Sequence, residues 1–123
     1  MSAPRQRLGA WGETLAERAL VARGYTILAR NWRCAHGEID LVAKDGACYA
    51  FVEVKTRRGH AVQQPEEALT PAKARRLAEL GEVYLAEQGL EDVAWRIDLV
   101  AIELDARGGV ARLEIISGVG VAE

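Results

Sequence analysis

The residues of this chain best suited to chemistry lie in two short stretches, Glu38-Ile39-Asp40 and Glu53-Val54-Lys55, where charged side chains alternate with apolar ones. In an extended strand alternate side chains share a face. Glu38 therefore sits with Asp40, while Tyr49, Phe51, Glu53, Lys55 and Arg57 share a face of the next strand. Between the stretches lies Lys44-Asp45-Gly46, and Asp-Gly is a strong short-range signal for a tight hairpin. With Asp45-Gly46 as a two-residue loop, Glu38 faces Glu53 and Asp40 faces Phe51. A loop two residues longer sets Asp40 directly against Glu53. Both registers keep the acids together, whereas a slip of one residue separates them.

Facing carboxylates repel, and on a half-buried sheet face that repulsion is costly unless something positive lies between them. A divalent cation serves. Ligands that are all oxygen suit Mg2+ or Mn2+, with water and a phosphate oxygen filling the remaining positions. The ammonium of Lys55 beside such an ion would stabilise charge on an attacked phosphate or orient the attacking water. Patterning leaves equally open a solvated face of cross-strand ion pairs, such as Glu38 with Lys55.

Several elements must position these residues. From Arg5 to Arg23, apolar residues recur at Leu8, Trp11, Leu15, Ala19 and Ala22, the rhythm of an amphipathic helix, with Gly24 as its stop and Gly9 and Gly12 weakening its first turns. Glu13 lies at the rim of that stripe, where it either reaches the sheet edge or is a plain surface acid like Glu17. Tyr25-Thr26-Ile27-Leu28 begins a strand that continues toward Asn31-Trp32-Arg33. Gly37 then breaks the chain before the strands Glu38–Ala43 and Tyr49–Lys55. The segment Arg57–Pro65 lacks periodicity and is expected to be a mobile surface loop carrying Arg57 and Arg58.

Thr70-Pro71 has the form of an N-cap followed by proline at the first helical position, opening a second helix that runs to Gln88 and stops at Gly89. Leu77, Leu80 and Tyr84 form its apolar stripe, and Lys73 lies on the same side in the first turn. Lys73, Arg75 and Arg76 crowd a helix end that disfavours positive charge, a conflict that a bound phosphate relieves and that a solvated basic face explains equally well. Trp32, Arg33, Lys73 and Arg75 are candidates for a local basic rim. Val93–Leu104 reads as a strand covered on both faces, and Ala111–Ser117 as a last strand after Gly108-Gly109. Arg96 and Asp98 share one face of the former, as a buried structural ion pair or as functional groups. The order αβββαββ implies a mixed sheet in which the crossover helix joins two parallel strands.

The chain of 123 residues, half of them hydrophobic, has the size and composition of one globular domain spanning 1–123. Its net charge of −2 excludes a coat of bulk positive charge as the means of holding nucleic acid, so any such contact must be local. A polar N-terminus and the lack of any apolar run near ~20 residues argue against secretion and membrane insertion, leaving the cytoplasm. Cys34 and Cys48 read as reduced thiols, and with His36 and His60 they lack the paired spacing of a zinc site. No Gly-rich loop follows a strand, which disfavours an ATPase or dinucleotide enzyme.

At these residues the sequence resembles the PD-(D/E)XK nuclease superfamily, and within it the YraN-like family of small bacterial proteins. The resemblance rests on Gly9-Ala10-Trp11-Gly12-Glu13 with Ala16, Gly24-Tyr25, Asn31-Trp32-Arg33, Gly37-Glu38-Ile39-Asp40-Leu41, Phe51-Val52-Glu53-Val54-Lys55-Thr56-Arg57, Lys73 and Arg96-Ile97-Asp98. Ala61-Val62 stands where the family's loop usually carries an aromatic residue and glycine. The resemblance implies a restriction-endonuclease-like αβββαβ core, a mixed central sheet flanked by helices, with one extra C-terminal strand. It implies Asp40 and Glu53 as metal ligands, Lys55 as catalytic lysine, and Glu13 as the helix-borne catalytic acid of Holliday-junction-resolvase-like members, a third metal residue that supports the ion or the water. Glu38 is a supporting residue of less defined role, and Arg57, Arg58, Lys73 and Arg75 are candidate nucleic-acid contacts. The expectation is a Mg2+- or Mn2+-dependent endonuclease for DNA, branched or damaged, in a form compatible with a homodimer. The alternative is a noncatalytic module that binds nucleic acid or docks a partner on the same scaffold.

Overall fold

The computed structural model of the chain describes residues 4–59 and 69–119. Helix α1 (Pro4–Ala22) precedes three strands, β1 (Thr26–Cys34), β2 (Gly37–Asp45) and β3 (Cys48–Arg58). Helix α2 (Pro71–Glu87) then leads to β4 (Trp95–Leu104) and β5 (Val110–Ser117). The five strands form one sheet in the order β1-β2-β3-β4-β5, with only the β3–β4 pair parallel. This is the mixed α/β topology that the element order implies, because a strand–helix–strand unit returns its second strand parallel to the first.

Each helix covers one face of the sheet. On one side Leu77, Leu80 and Tyr84 of α2 pack with Ile39, Val42, Phe51, Ile97 and Leu99. On the other, Ala16 and Leu20 of α1 pack with Leu41, Val52, Val100, Ile102 and Leu104. The boundaries of α2 follow from its caps. The Thr70 hydroxyl accepts from the Lys73 N–H at 3.2 Å, Pro71 occupies the first turn, and Gly89 takes φ +69 just past the Gln88 C-cap.

The buried face of α1 is rotated from the expected stripe. Gly12, Ala16 and Leu20 are buried, whereas Trp11 is 41 % exposed and Ala22 lies at the surface. Gly12 is the reason: a Cβ built there would lie 1.8 Å from Thr56 Oγ1 and 2.9 Å from Thr56 Cβ, so the helix rests its bare backbone on β3. A residue that weakens a helix intrinsically is here what lets it approach the sheet.

Two further expectations change. The β2–β3 loop is Gly46-Ala47, with Asp45 paired to Cys48 and Gly46 at φ +62, the positive angle that the first position of a II′ turn requires. Arg57 and Arg58 belong to β3, paired with Glu103 and Leu104 of β4, because parallel pairing with that apolar strand continues past the end of the periodic apolar run. The remainder of the expected loop, from His60 and including Ala61-Val62, lies outside the described residues.

Candidate active site where β2 and β3 part

The β2–β3 ladder runs from Asp45–Cys48 to Leu41–Val52, and the next two residues along it are Asp40 and Glu53. There the regular pairing stops. The Val54 N–H donates to Asp40 Oδ2 at 2.8 Å, so a side chain occupies the gap between the strands. Beyond this fork, strict alternation fails as well. Ile39 and Val42, three residues apart, both pack on the α2 side, and so do Ala29 and Trp32 on the neighbouring strand. The acids are thus brought together by a parting of strands, in the register of the longer-loop reading, rather than by alternation along two regular ones.

Glu38 and Glu53 line a shallow groove of about 100 Å³ with Lys73, Arg76, Leu77 and Leu80 of α2. From the α1 side the Glu13 carboxylate is close enough to Asp40, Glu38 and Glu53 to be repelled by all three. Burial and then this crowding push Asp40 up to about 7, with Glu53 the strongest of its acidic neighbours and the Val54 N–H pulling the other way. Glu13 is also raised, first by burial, while a hydrogen bond from Asn31 opposes the rise. Lys55 Nζ lies 3.4 Å from Glu53 Oε2, both partly buried. Glu38 pairs instead with Arg33, at 3.4 Å, so the cross-strand Glu38–Lys55 pair expected of a plain solvated face is replaced by two others.

The structure therefore gathers Glu13, Glu38, Asp40, Glu53, Lys55 and Lys73. Arg75 is exposed and not part of the groove lining; the second base there is Arg76, which also donates to the His36 carbonyl. Arg57 shares the β3 parity of Glu53 and Lys55, and Arg58 is exposed at the strand's end. Asn31 and Gly12, which sequence reasoning left without a role, flank Glu13: the first by hydrogen bonding, the second by bringing α1 onto β3. For Gly12 the available signal was a glycine within a helix next to Glu13, whereas Asn31, between Arg30 and Trp32, adjoins no charged residue of the site.

The donor chemistry fits a hard cation, since Asp40 and Glu53 offer oxygens only and repel one another without one. Among the described residues no three His, Cys, Asp or Glu side chains converge on a ready-made coordination shell. Such an ion would be held by two carboxylates and water, with Glu13 at its margin.

Arg96 and Asp98 lie elsewhere. Asp98, fully buried, accepts from Arg96 Nε at 2.9 Å, from the Tyr25 hydroxyl at 2.7 Å and from the Gly118 N–H at 3.1 Å, and Arg96 also reaches Asp45 at 2.9 Å. This is the structural ion pair of the two readings left open.

A mixed five-stranded sheet with a helix on each face places the protein among α/β folds and is consistent with a restriction-endonuclease-like core. Residues 12–102 match the family described as uncharacterised protein family UPF0102, and the chain belongs to it. Its relatives include UPF0102 proteins of Roseiflexus castenholzii (48 % identical, covering 94 % of both chains) and Beutenbergia cavernae (47 %, covering 94 % of this chain and 98 % of that one). Another, from Symbiobacterium thermophilum, is 52 % identical over 80 % of this chain and 83 % of its own. Among solved structures, Pyrococcus furiosus SfsA in complex with Ca2+ is similar at 14 % identity and a TM-score of 0.36, covering 96 % of this chain and 65 % of that one. No described helix is long and apolar enough to cross a membrane.

Proposed function

We propose that this protein is a cytoplasmic, metal-dependent endonuclease of the PD-(D/E)XK type that hydrolyses phosphodiester bonds in DNA, with branched or damaged structures as its substrates. The observation that carries the reading is Asp40. Its carboxylate is wedged where two strands part, is crowded by three other acids, and stands near the Glu53–Lys55 pair. A half-buried carboxylate crowded by like charges is costly to keep ionised without a cation, and perturbed acids of this kind cluster at functional sites. The acid-x-lysine motif of the nuclease superfamily, Glu53-Val54-Lys55, falls at the same place.

In this reading Asp40 and Glu53 hold Mg2+ or Mn2+, which when bound lowers the pKa of water and draws charge from the phosphate. Lys55 takes part by holding the attacking water beside Glu53 and by balancing charge as the phosphate is attacked. Glu13 accepts a hydrogen bond from that water on the α1 side. Lys73 and Arg57 hold flanking phosphates, with Arg58 and Arg75 as outer contacts and Glu38 steadying the groove wall. Two copies together would place a site on each strand of a duplex.

The test compares cleavage of linear, flapped and four-way-junction DNA, with Mg2+ or Mn2+, by the wild type and Asp40→Ala. The reading requires cleavage by the wild type alone. Equal activity in the two rejects it, and salt-sensitive DNA binding without cleavage under either metal would favour the noncatalytic module instead.

A further inference from the structure

The two edge strands of the sheet differ in regularity. β1 is bulged between Ile27 and Ala29 and holds Asn31 at φ +50 within the strand. Such irregularities spoil an edge as a template for further pairing. β5 keeps register with β4 from Arg112 to Ser117, and none of its residues takes a positive φ. Among the described residues no strand lies beyond it.

The free backbone groups of that edge can be named. On β4 the Leu104 carbonyl accepts from the Gly59 N–H, on the β3 side, at 2.9 Å, and the Ile97 carbonyl accepts from the Val119 N–H, on the β5 side, at 2.8 Å. Backbone groups alternate in direction along a strand, so Leu99, Ala101 and Glu103 also turn theirs to β5, where they meet Ile116, Glu114 and Arg112. The N–H and C=O of Leu113 and Ile115 therefore point away from β4, to the open edge. The side chains of these two pack at the margin of the α1-side core and are only half-buried. Arg112 and Glu114 lie on the opposite face, where Arg112 Nε donates to Glu114 Oε1 at 2.6 Å.

Such an edge is complementary to itself. With a two-fold axis at Leu113 and a second β5 running antiparallel, Leu113 of one copy meets Leu113 of the other and both exchange their free backbone bonds, while Arg112 of each copy faces Glu114 of the other. Opposite charges facing each other across a strand pair favour that pairing, and like charges oppose it. An axis at Arg112 or at Glu114 would set like charges face to face, and one at Ile115 would set Glu114 against Ile116.

We propose that β5 is the surface through which two copies of this chain join, by antiparallel pairing about Leu113 that merges their two five-stranded sheets into one. The leucine side chains extend the α1-side core across the seam, and the two Arg112–Glu114 pairs fix the register. The inference concerns how copies meet, and it stands whether or not the acids bind metal or the protein cuts DNA.

The test is sedimentation velocity on the full chain over a dilution series, for the wild type, Arg112→Glu, Glu114→Arg and an equimolar mixture of the two variants. The wild type should dimerise. Each variant alone turns both facing pairs into like charges and should weaken the dimer about thirtyfold. The mixture restores opposite charges in both pairs and should dimerise as the wild type does. A monomeric wild type, a dimer indifferent to either substitution, or a mixture that stays monomeric would overturn the proposal. A second measurement needs no substitution: residue-resolved amide hydrogen exchange of the wild type at rising concentration. The Leu113 amide should slow as the dimer forms, while those of Arg112 and Glu114, already turned to β4, should not change. If Leu113 exchanges at one rate in monomer and dimer alike, β5 is not the seam.

Discussion

Two acids close to the fork treat buried charge in opposite ways. On β4, level with Val52, Asp98 is wholly buried and every bond it accepts comes from a fixed donor: Arg96, Tyr25 and the Gly118 backbone. At the parted end, Asp40 accepts one backbone bond and faces Glu53, Glu13 and Glu38. The first acid is surrounded by donors; the second is crowded by like charges. Burial alone would not separate the two, because the more deeply buried acid is the one whose hydrogen-bonding capacity is already met.

Substitutions should divide along the same line, and the largest effect is expected at Asp40. Asp40→Asn should lower metal-dependent cleavage by about 10⁴-fold, equivalent to ~5 kcal/mol of barrier, while leaving the metal-free protein at pH 8 at least as stable as the wild type in urea. Asp98→Ala should do the reverse. Stranding Arg96 without its buried partner should cost about 3–5 kcal/mol of folding stability, with cleavage per folded molecule little changed. If the Asp98 variant folds well but fails to cut, the comparison breaks.

The pH dependence sharpens it. Asp40 is raised from an ordinary 3.8 to about 7, so between those values the folded chain holds a proton that the unfolded chain has released. Its favourable contribution is complete below about pH 4 and disappears as pH rises through 7. Metal-free stability measured by urea titration should therefore fall by roughly 2–4 kcal/mol across that window, and should do so much less in Asp40→Asn. Divalent cation, which binds the ionised form, should offset the loss above pH 7. A smaller effect is expected from Gly12→Ala, whose Cβ would collide with Thr56. Overpacking of this sort costs about 1–3 kcal/mol, and the accompanying shift of α1 should weaken Mn2+ binding through Glu13. Thr56→Ala should restore it only in part, since the Thr56 Cβ itself lies 2.9 Å from the added atom. Least of all, Lys73→Gln should reduce the salt slope of DNA binding by about 0.9, one phosphate's worth, whereas Arg75→Gln, outside the groove, should reduce it less.

Most of the fold was legible in the sequence because its signals are local. Thr70-Pro71 and Gly89 fix α2, and the order of apolar runs fixes a mixed sheet with one crossover. The acids were legible as types at spacings, but the device that unites them was not. Alternation treats strands as regular, and it has no means of showing that β2 and β3 part after Leu41–Val52 or that Asn31 takes a left-handed turn. The hairpin loop was misplaced by one residue because Asp45, a good turn former, is required in the ladder, where its carboxylate meets Arg96. Trp11 was misread because apolar periodicity rewards large side chains, while the closest helix–sheet approach in this protein belongs to Gly12, which has none. Arg75 and Arg76 differ by one step of a helix, and it is Arg76, three residues from Lys73 and four from Leu80, that lines the groove with Glu53, a difference that helical spacing already contained.

The anchoring of β3 and β2 is unequal. From Tyr49 to Arg58, β3 is paired without interruption to β4, so Glu53 and Lys55 ride on a strand held along its whole length. Asp40 and Glu38 ride on the arm of the β1–β2 hairpin, whose tip is clasped to α2 by Arg76 at the His36 carbonyl, with Gly37 leaving room for that guanidinium. The spacing of the acids is therefore a one-sided adjustment, like a vice with one fixed jaw. Changes at Arg76 or Gly37, remote from the carboxylates, should therefore alter the gap between Asp40 and Glu53 while the anvil stays still.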